Sequence, residues 1–287
     1  MYVGRFAPSP TGPLHFGSLV AALASWLDAR AAGGRWRVRI EDLDAPRNQP
    51  GAAEDVLRTL ERIGLAWDGE VVYQSQRTGW YREVLGRLEK QTYWCACSRR
   101  EIADSSLGLA ADGAQIYPGT CRNGIAPDRT PRALRLRTSA ERIVFDDRLQ
   151  GRQQQILERD VGDFVLHRAD GQFAYQLAVV VDDAEQGVSD VVRGADLLDS
   201  TARQICLQRL LGYSQPRYLH VPAAVNAAGE KLSKQTGAPP IDAGRRRDEL
   251  ARALAFLGQP PADDLTQAVQ NWDPALITAR RALAAAP

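Results

Sequence analysis

Two stretches far apart in this chain carry residue types suited to holding a polyphosphate. The first reads Arg5-Phe6-Ala7-Pro8-Ser9-Pro10-Thr11-Gly12-Pro13-Leu14-His15-Phe16-Gly17-Ser18. Its prolines and glycines spell a turn after a short strand, and an apolar helical run follows. Such a turn aims backbone N–H groups and the positive end of a helix dipole at an anion. His15 can donate to a phosphate oxygen, and Gly17 leaves room for a flat base against the backbone. The second stretch, Lys231-Leu232-Ser233-Lys234-Gln235, follows a turn at 226–229 and offers two mobile cations. Each has a plainer reading alone: a His-x-Gly is often only a turn, and lysines three apart often only face solvent. Together they suggest nucleotide activation.

A third cluster is soft. Cys95, Cys97 and Cys121 offer three thiolates, a plausible zinc set lacking one ligand. The three histidines, His15, His167 and His220, are remote in sequence, so Glu101, Asp104 or water stand as alternatives for the fourth. Three reduced thiols without metal are the plainer reading. Cys206 lies in an apolar-periodic segment and is expected in the core.

The elements needed to position these groups follow from periodicity. Residues 2–6, 36–40 and 71–73 read as strands, separated by helices at 19–32 and 52–63; a further helix covers 81–90. Alternating strands and helices imply a parallel sheet, with ligand at the carboxyl ends of its strands. Arg5–Ser9 and Glu41 both fall at such ends. Residues 93–165 carry the cysteines, proline breaks and two short alternating runs at 134–137 and 143–146. They read as an inserted subdomain. The apolar run 175–181 reads as a returning strand that stops at Asp182-Asp183. Another strand closes at Val192-Arg193-Gly194, a helix spans 201–211, and residues 218–221 precede the lysine loop. From Arg247 the chain reads as helical, ending in alanine-rich turns. The expected division is 1–92 and 166–225 for the two halves of the sheet, 93–165 for the insertion and 226–287 for the lysine loop and a helical part.

Composition bounds the partners. The chain has 287 residues, 44% hydrophobic, with a formal net charge of +1. That balance does not advertise nucleic acid, so RNA contacts would need local patches such as Arg99-Arg100, Arg245-Arg246-Arg247 and Arg280-Arg281. No apolar run approaches membrane-spanning length, and no signal peptide precedes the first strand. A cytoplasmic protein without a membrane partner is expected, and four cysteines argue against a disulfide framework.

The paired nucleotide motifs resemble those of class I aminoacyl-tRNA synthetases, and the 5–12 string narrows the resemblance to the glutamyl branch. Ser18 replaces a second histidine, as in glutamyl enzymes; Leu232 and Gln235 depart from the common Met and Ser. Arg39-Ile40-Glu41-Asp42-Leu43-Asp44 and Val192-Arg193-Gly194-Ala195-Asp196-Leu197-Leu198 extend the likeness. The short form, with cysteines in the insertion, looks like the glutamyl-queuosine tRNA(Asp) synthetases. The resemblance implies an α/β fold: a Rossmann-type parallel sheet with an inserted zinc subdomain and a small helical C-terminal part. It implies a monomer that activates L-glutamate with ATP and magnesium, without tRNA, and esterifies it to the cyclopentenediol of queuosine in tRNA(Asp). Arg5, Ala7, Ser9, Glu41, Tyr175 and Arg193 would bind glutamate. His15, Gly17, Ser18, Lys231 and Lys234 would bind ATP. Tyr117 would complete a structural zinc site, one per chain, with Cys95, Cys97 and Cys121.

The charge pattern agrees. Glutamate needs cations for two carboxylates, which arginine forks suit, and an anion for its ammonium, which Glu41 supplies. Taken singly, Arg5 and Arg193 read as strand-end surface charges, Glu41 as a carboxylate offsetting a helix dipole, and Tyr175 as a half-buried strand aromatic. Other readings are a minimal glutamyl-tRNA synthetase charging the terminal ribose, a silent RNA-binding paralogue and a non-tRNA nucleotidyltransferase.

Overall fold

The computed structural model describes residues 1–232 and 238–285, so Lys234 lies outside the described residues. The chain opens with β1 (Val3–Phe6), α1 (Phe16–Ala31), β2 (Arg35–Ile40), α2 (Ala52–Ile63) and β3 (Val72–Tyr73). The three strands are parallel, in the order β1-β2-β3. α1 is apolar around most of its circumference and is buried accordingly, with Leu19, Leu23 and Leu27 sealed in the core. α2 buries only one stripe, Val56, Leu60 and Ile63, and ends at Gly64 with φ 92°.

The chain continues through α3 (Thr78–Arg87), β4 (Thr92–Cys95), α4 (Arg99–Ser105), β5 (Ala133–Leu136), β6 (Arg142–Asp147), β7 (Gly151–Ile156), α5 (Leu157–Asp160) and β8 (Val165–His167). β4, β5 and β8 form an antiparallel sheet beside the cysteine cluster. Then come α6 (Tyr175–Glu185), β9 (Asp190–Gly194), α7 (Thr201–Leu211), β10 (Arg217–Val221) and β11 (Ala223–Val225). A second sheet runs β7-β6-β10-β9, with β9, β10 and β6 parallel. The Ser189 N–H donates to the Val3 carbonyl at 3.0 Å, setting β9 beside β1. The two parallel sheets thereby bring the ends of β1 and β9 together. Last come α8 (Arg246–Phe256), α9 (Leu265–Gln270) and β12 (Ala282–Ala284). Leu254, Leu257 and Ala268 pack into the same core as α1.

Three segments differ from expectation. Residues 175–181 form the start of helix α6 rather than a strand. Leu177 through Asp183 are all buried, so no polar stripe marks the helical period, and the valines 179–181 imitate a buried strand. β6 and β7, expected in the insertion, form a hairpin whose β6 pairs with β10 at Tyr218 and Asp147. The alternation of β6 would suit either sheet; the partner that decides lies far along the chain. Residues 282–284 form a strand on β11 instead of a turn, with Ala223 opposite Ala282.

Candidate active site

A cavity of about 510 Å³ opens at the carboxyl ends of β1, β2 and β9. Arg5, Ala7, Ser9, Glu41, Tyr175 and Arg193 line it, and so do His15, Gly17, Ser18 and Lys231. The six residues matched to glutamate and four of the five matched to ATP therefore share one cavity. Arg5 and Arg193 are each only 4% exposed, which rules out the surface-charge reading for both. Tyr175 sits at the first turn of α6 rather than on a strand.

The arginines are held from behind. Arg5 Nε donates to Asp183 at 3.3 Å. Arg39, fully buried on β2, reaches Asp183 at 2.8 Å, Glu41 at 3.2 Å and Asp182 at 3.7 Å. Asp182 also accepts from Gln74 at 2.8 Å, Tyr81 at 2.7 Å and Arg77 at 2.6 Å. Burial opposes the charge of Asp183, yet Arg5 and Arg39 hold its carboxyl below the usual range. Glu41 goes the other way. Burial pushes its carboxyl up, and Arg39 and Arg5 only partly offset that. Behind the cavity three guanidiniums, Arg5, Arg39 and Arg77, are balanced by three carboxylates, Asp182, Asp183 and Glu41. On the cavity wall, Arg5 and Arg193 offer cations for two carboxylates and Glu41 an anion for an ammonium.

Arg193 has a different setting. Its Nε donates to His220 Nε2 at 3.0 Å and its Nη2 to Thr201 Oγ1 at 3.0 Å; Nη1 lies 3.4 Å from the Tyr175 hydroxyl. Burial raises the Tyr175 pKa, so the phenol stays protonated.

At the other end of the cavity, His15 caps α1. Its Nδ1 accepts the Ser18 N–H at 3.4 Å, and its Nε2 lies 3.1 Å from Ser18 Oγ. A Cβ on Gly17 would come within 3.3 Å of the His15 ring and 3.5 Å of the Leu232 carbonyl, so a larger residue there would crowd the lysine loop. The loop folds back over the first motif: Leu232 N–H donates to Ala224 O at 2.8 Å and Ile241 N–H to Leu14 O at 2.9 Å. Lys231 Nζ meets Asp196 at 2.5 Å.

The sulfurs of Cys95, Cys97 and Cys121 lie within 4.8 Å of one another and can hold a metal ion. The Tyr117 hydroxyl is 3.4 Å from Cys95 Sγ and 3.5 Å from Cys97 Sγ; Cys97 and Cys121 sulfurs are 3.6 Å apart. Tetrahedral zinc at ordinary bond lengths puts sulfurs about 3.8 Å apart and sulfur and oxygen about 3.5 Å apart. The donor set fits zinc in chemistry and spacing. Cys206 is half-buried, packed against a separate apolar cluster that includes Tyr81, Leu177 and Ile205, rather than sealed in the core.

The basic patches are partly spent locally. Arg281 pairs with Asp199 at 2.9 Å, Arg245 with Asp248 at 3.0 Å and Arg100 with Asp104 at 3.8 Å.

Sequence reasoning gave no role to Arg39, Asp182, Asp183, Asp147 or His220. A signal was present for the first three. Arginine inside an apolar strand, and two aspartates closing an apolar run, are charges the fold must bury and pair. Asp147 and His220 gave none, since their partners are distant in sequence.

Comparison with known proteins sets this geometry in context. The family model for class I (E and Q) tRNA synthetases, catalytic domain, matches residues 2–259. A glutamyl-Q tRNA(Asp) synthetase of Dechloromonas aromatica (strain RCB) is 64% identical over 260 residues, covering 90% of this chain and 86% of that protein. One from Aromatoleum aromaticum is 61% identical, covering 94% and 86%. Among solved structures, a glutamate tRNA ligase from Elizabethkingia meningosepticum, in complex with its amino acid, superposes with a TM-score of 0.82 at 25% identity, over 99% of this chain and 67% of that one. A Mycobacterium tuberculosis methionyl-tRNA synthetase shares the fold alone, with a TM-score of 0.54 at 14% identity.

Proposed function

The chain belongs to the class I tRNA synthetases of the E and Q type and is an ATP-dependent ligase, and on that premise we propose that it joins glutamate to the queuosine of tRNA(Asp). One observation carries the reading: the six residues matched to glutamate and four of the five matched to ATP line a single cavity, with cations for two carboxylates and an anion for an ammonium.

Arg5 and Arg193 take the carboxylates, Glu41 the ammonium, and the Tyr175 hydroxyl a carboxylate oxygen. The α-carboxylate oxygen attacks the α-phosphorus of ATP. The new O–P bond forms as the bond to the β-phosphate oxygen breaks, and pyrophosphate leaves with magnesium. Positioning and charge stabilisation carry this step. His15 and the α1 N-terminus hold phosphate oxygens, and Gly17 gives the adenine its room. Lys231 and Lys234 stabilise the departing pyrophosphate. Every group assigned to adenylate formation belongs to this chain, which supports activation without tRNA. A hydroxyl of the queuosine diol then attacks the acyl carbon, and AMP leaves. The diol lies on a five-membered ring with adjacent hydroxyls, like a terminal ribose, so one site shape serves.

Cys95, Cys97, Tyr117 and Cys121 hold a structural zinc that pins the insertion. None of these four residues lines the substrate cavity, so a metal held by them would serve the fold of the insertion rather than the reaction. The enzyme works as a cytoplasmic monomer.

The test measures glutamate transfer to tRNA(Asp) with and without queuosine, alongside tRNA(Glu). Transfer is expected only to the queuosine form, abolished by periodate cleavage of the diol and indifferent to a blocked 3′ end. Transfer that needs the 3′ end and ignores queuosine would establish a minimal glutamyl-tRNA synthetase instead.

A further inference from the structure

Two arginines line the cavity, and the fold treats them oppositely. Arg5 is bonded directly to a carboxylate, Asp183. Among the described residues, the hydrogen-bond acceptors of Arg193 are all neutral: His220 Nε2, the Thr201 hydroxyl, the Tyr175 hydroxyl and, at 3.5 Å, the Leu197 carbonyl. A carboxylate does stand behind it, but one imidazole removed. Asp147 Oδ2 lies 2.6 Å from His220 Nδ1, and both side chains are fully buried.

The hydrogen bonds fix the tautomer. Arginine is a donor only, so Arg193 Nε–H requires a bare lone pair on His220 Nε2. The ring proton must then sit on Nδ1, where Asp147 accepts it. Asp147 is fixed in turn by the N–H groups of Leu149 at 3.0 Å, Gln150 at 2.8 Å and His220 itself at 3.2 Å. The Tyr218 ring stacks on the imidazole with centroids 6.0 Å apart. The charged groups facing His220 are Asp147 from β6, Arg193 from β9 and Arg5 from β1. Burial, with Arg193 and Arg5 adding to it against Asp147, pushes the imidazole down to about 4, so the ring is neutral at physiological pH.

We propose that His220, oriented by Asp147, is a positioning residue for Arg193. It fixes the guanidinium through Nε while leaving its charge unneutralised for the substrate carboxylate. Nε and Nη2 are spent on the protein, so the plane of the fork is set; Nη1 meets the Tyr175 hydroxyl with one N–H and has its second for the ligand. A carboxylate at position 220 would hold the fork equally well but would compete with glutamate for it. The inference rests on the reading of Arg193 as a glutamate ligand.

Asp147→Asn is the discriminating variant. It is isosteric, and its amide oxygen still accepts the backbone N–H groups. Its NH₂ faces His220 Nδ1, and the imidazole must take the other tautomer, setting an Nε2–H against Arg193 Nε–H. Glutamate-dependent ATP–pyrophosphate exchange is measured for Asp147→Asn, His220→Gln, His220→Ala and Arg193→Ala, with KM for glutamate and for ATP. The imidazole ¹⁵N signals of wild type and Asp147→Asn report the tautomer directly. Expected for Asp147→Asn is a glutamate KM raised about 10- to 100-fold, as for loss of a charge-assisted bond, with the ATP KM within about twofold. His220→Gln, whose amide oxygen can accept from Arg193, should retain more glutamate affinity than His220→Ala. The ¹⁵N signals should show a bare Nε2 in wild type only. A wild-type glutamate KM in Asp147→Asn, or equal losses for glutamate and ATP, would overturn the proposal, as would an Nε2–H in the wild type. If Arg193→Ala itself leaves the glutamate KM unchanged, the assignment of Arg193 fails instead.

Discussion

Glu41→Gln isolates the anion assigned to the substrate ammonium. The Glu41 side chain is 9% exposed and its Oε1 accepts from Arg39 at 3.2 Å. Arg39 keeps Asp183 and Asp182 when that charge is removed, so the fold behind the site persists. A unit pair at about 4 Å and an effective dielectric near 20 is worth about 4 kcal/mol. The glutamine oxygen still accepts a hydrogen bond, so the loss should fall at about 2–4 kcal/mol, or roughly 30- to 1,000-fold in glutamate KM. The pH dependence has a definite sign. Burial raises the Glu41 pKa from its usual 4.5, so ammonium binding is complete above the raised value and is lost as pH falls through it. Glutamate KM from pyrophosphate exchange should therefore rise toward acid pH in the wild type and lack that limb in Glu41→Gln. Stability runs the other way. The raised value means the ionised carboxylate costs the ligand-free fold stability above it, a cost that vanishes as pH falls below the unfolded value. The variant should melt no lower than wild type at pH 7. A glutamate KM within threefold of wild type, or an unchanged acid limb, refutes the assignment.

Arg193→Ala should lose roughly 2–5 kcal/mol in glutamate kcat/KM, as when one partner of a buried charge pair is truncated, with circular dichroism checking the fold. Metal analysis of reduced protein should find one zinc per chain. Cys121→Ser should speed proteolysis of residues 97–117 more than it changes pyrophosphate exchange; equal damage to both would argue against a structural zinc. Asp182→Ala strips partners from Gln74, Arg77 and Tyr81 at once. Urea denaturation should show a loss of about 3–5 kcal/mol.

Legibility in the sequence tracked the range of the interactions. The turn before α1 and the amphipathic α2 are local, and their residues declare them; the capping of α1 by His15 was not legible, since histidine is not a usual cap residue. The cysteine cluster was legible because its donors lie close in sequence and are chemically distinctive. α6 was not, because a helix buried on every side carries no amphipathic period. β6 was recognisable as an alternating strand, but its place in the second sheet was not, since pairing partners leave no mark in a strand alone; β7, with its run of three glutamines, shows no alternation and was not predicted. Arg39 and Asp183 stand in apolar runs that mark them as charges to be paired, but not with which partner. Their meaning depends on a contact between β2 and α6 that no local pattern encodes. His220 and Asp147 are 73 residues apart, and neither neighbourhood signals the other.

The pairing of β12 with β11 has a consequence for the order of synthesis. β11 leads directly into the segment bearing Lys231, and its parallel partner is residues 282–284. Arg5 is translated early but meets Asp183 only 178 residues later. On the ribosome, the substrate cavity can assemble its arginines only after α6 has emerged. The strand supporting the lysine loop waits longer still, until residue 284 clears the exit tunnel. Such long-range closures are slow relative to local helix formation. The core around α1 is itself completed by Leu254, Leu257 and Ala268, so the nucleotide site and its supporting core should both appear only once residues through 284 are free to fold.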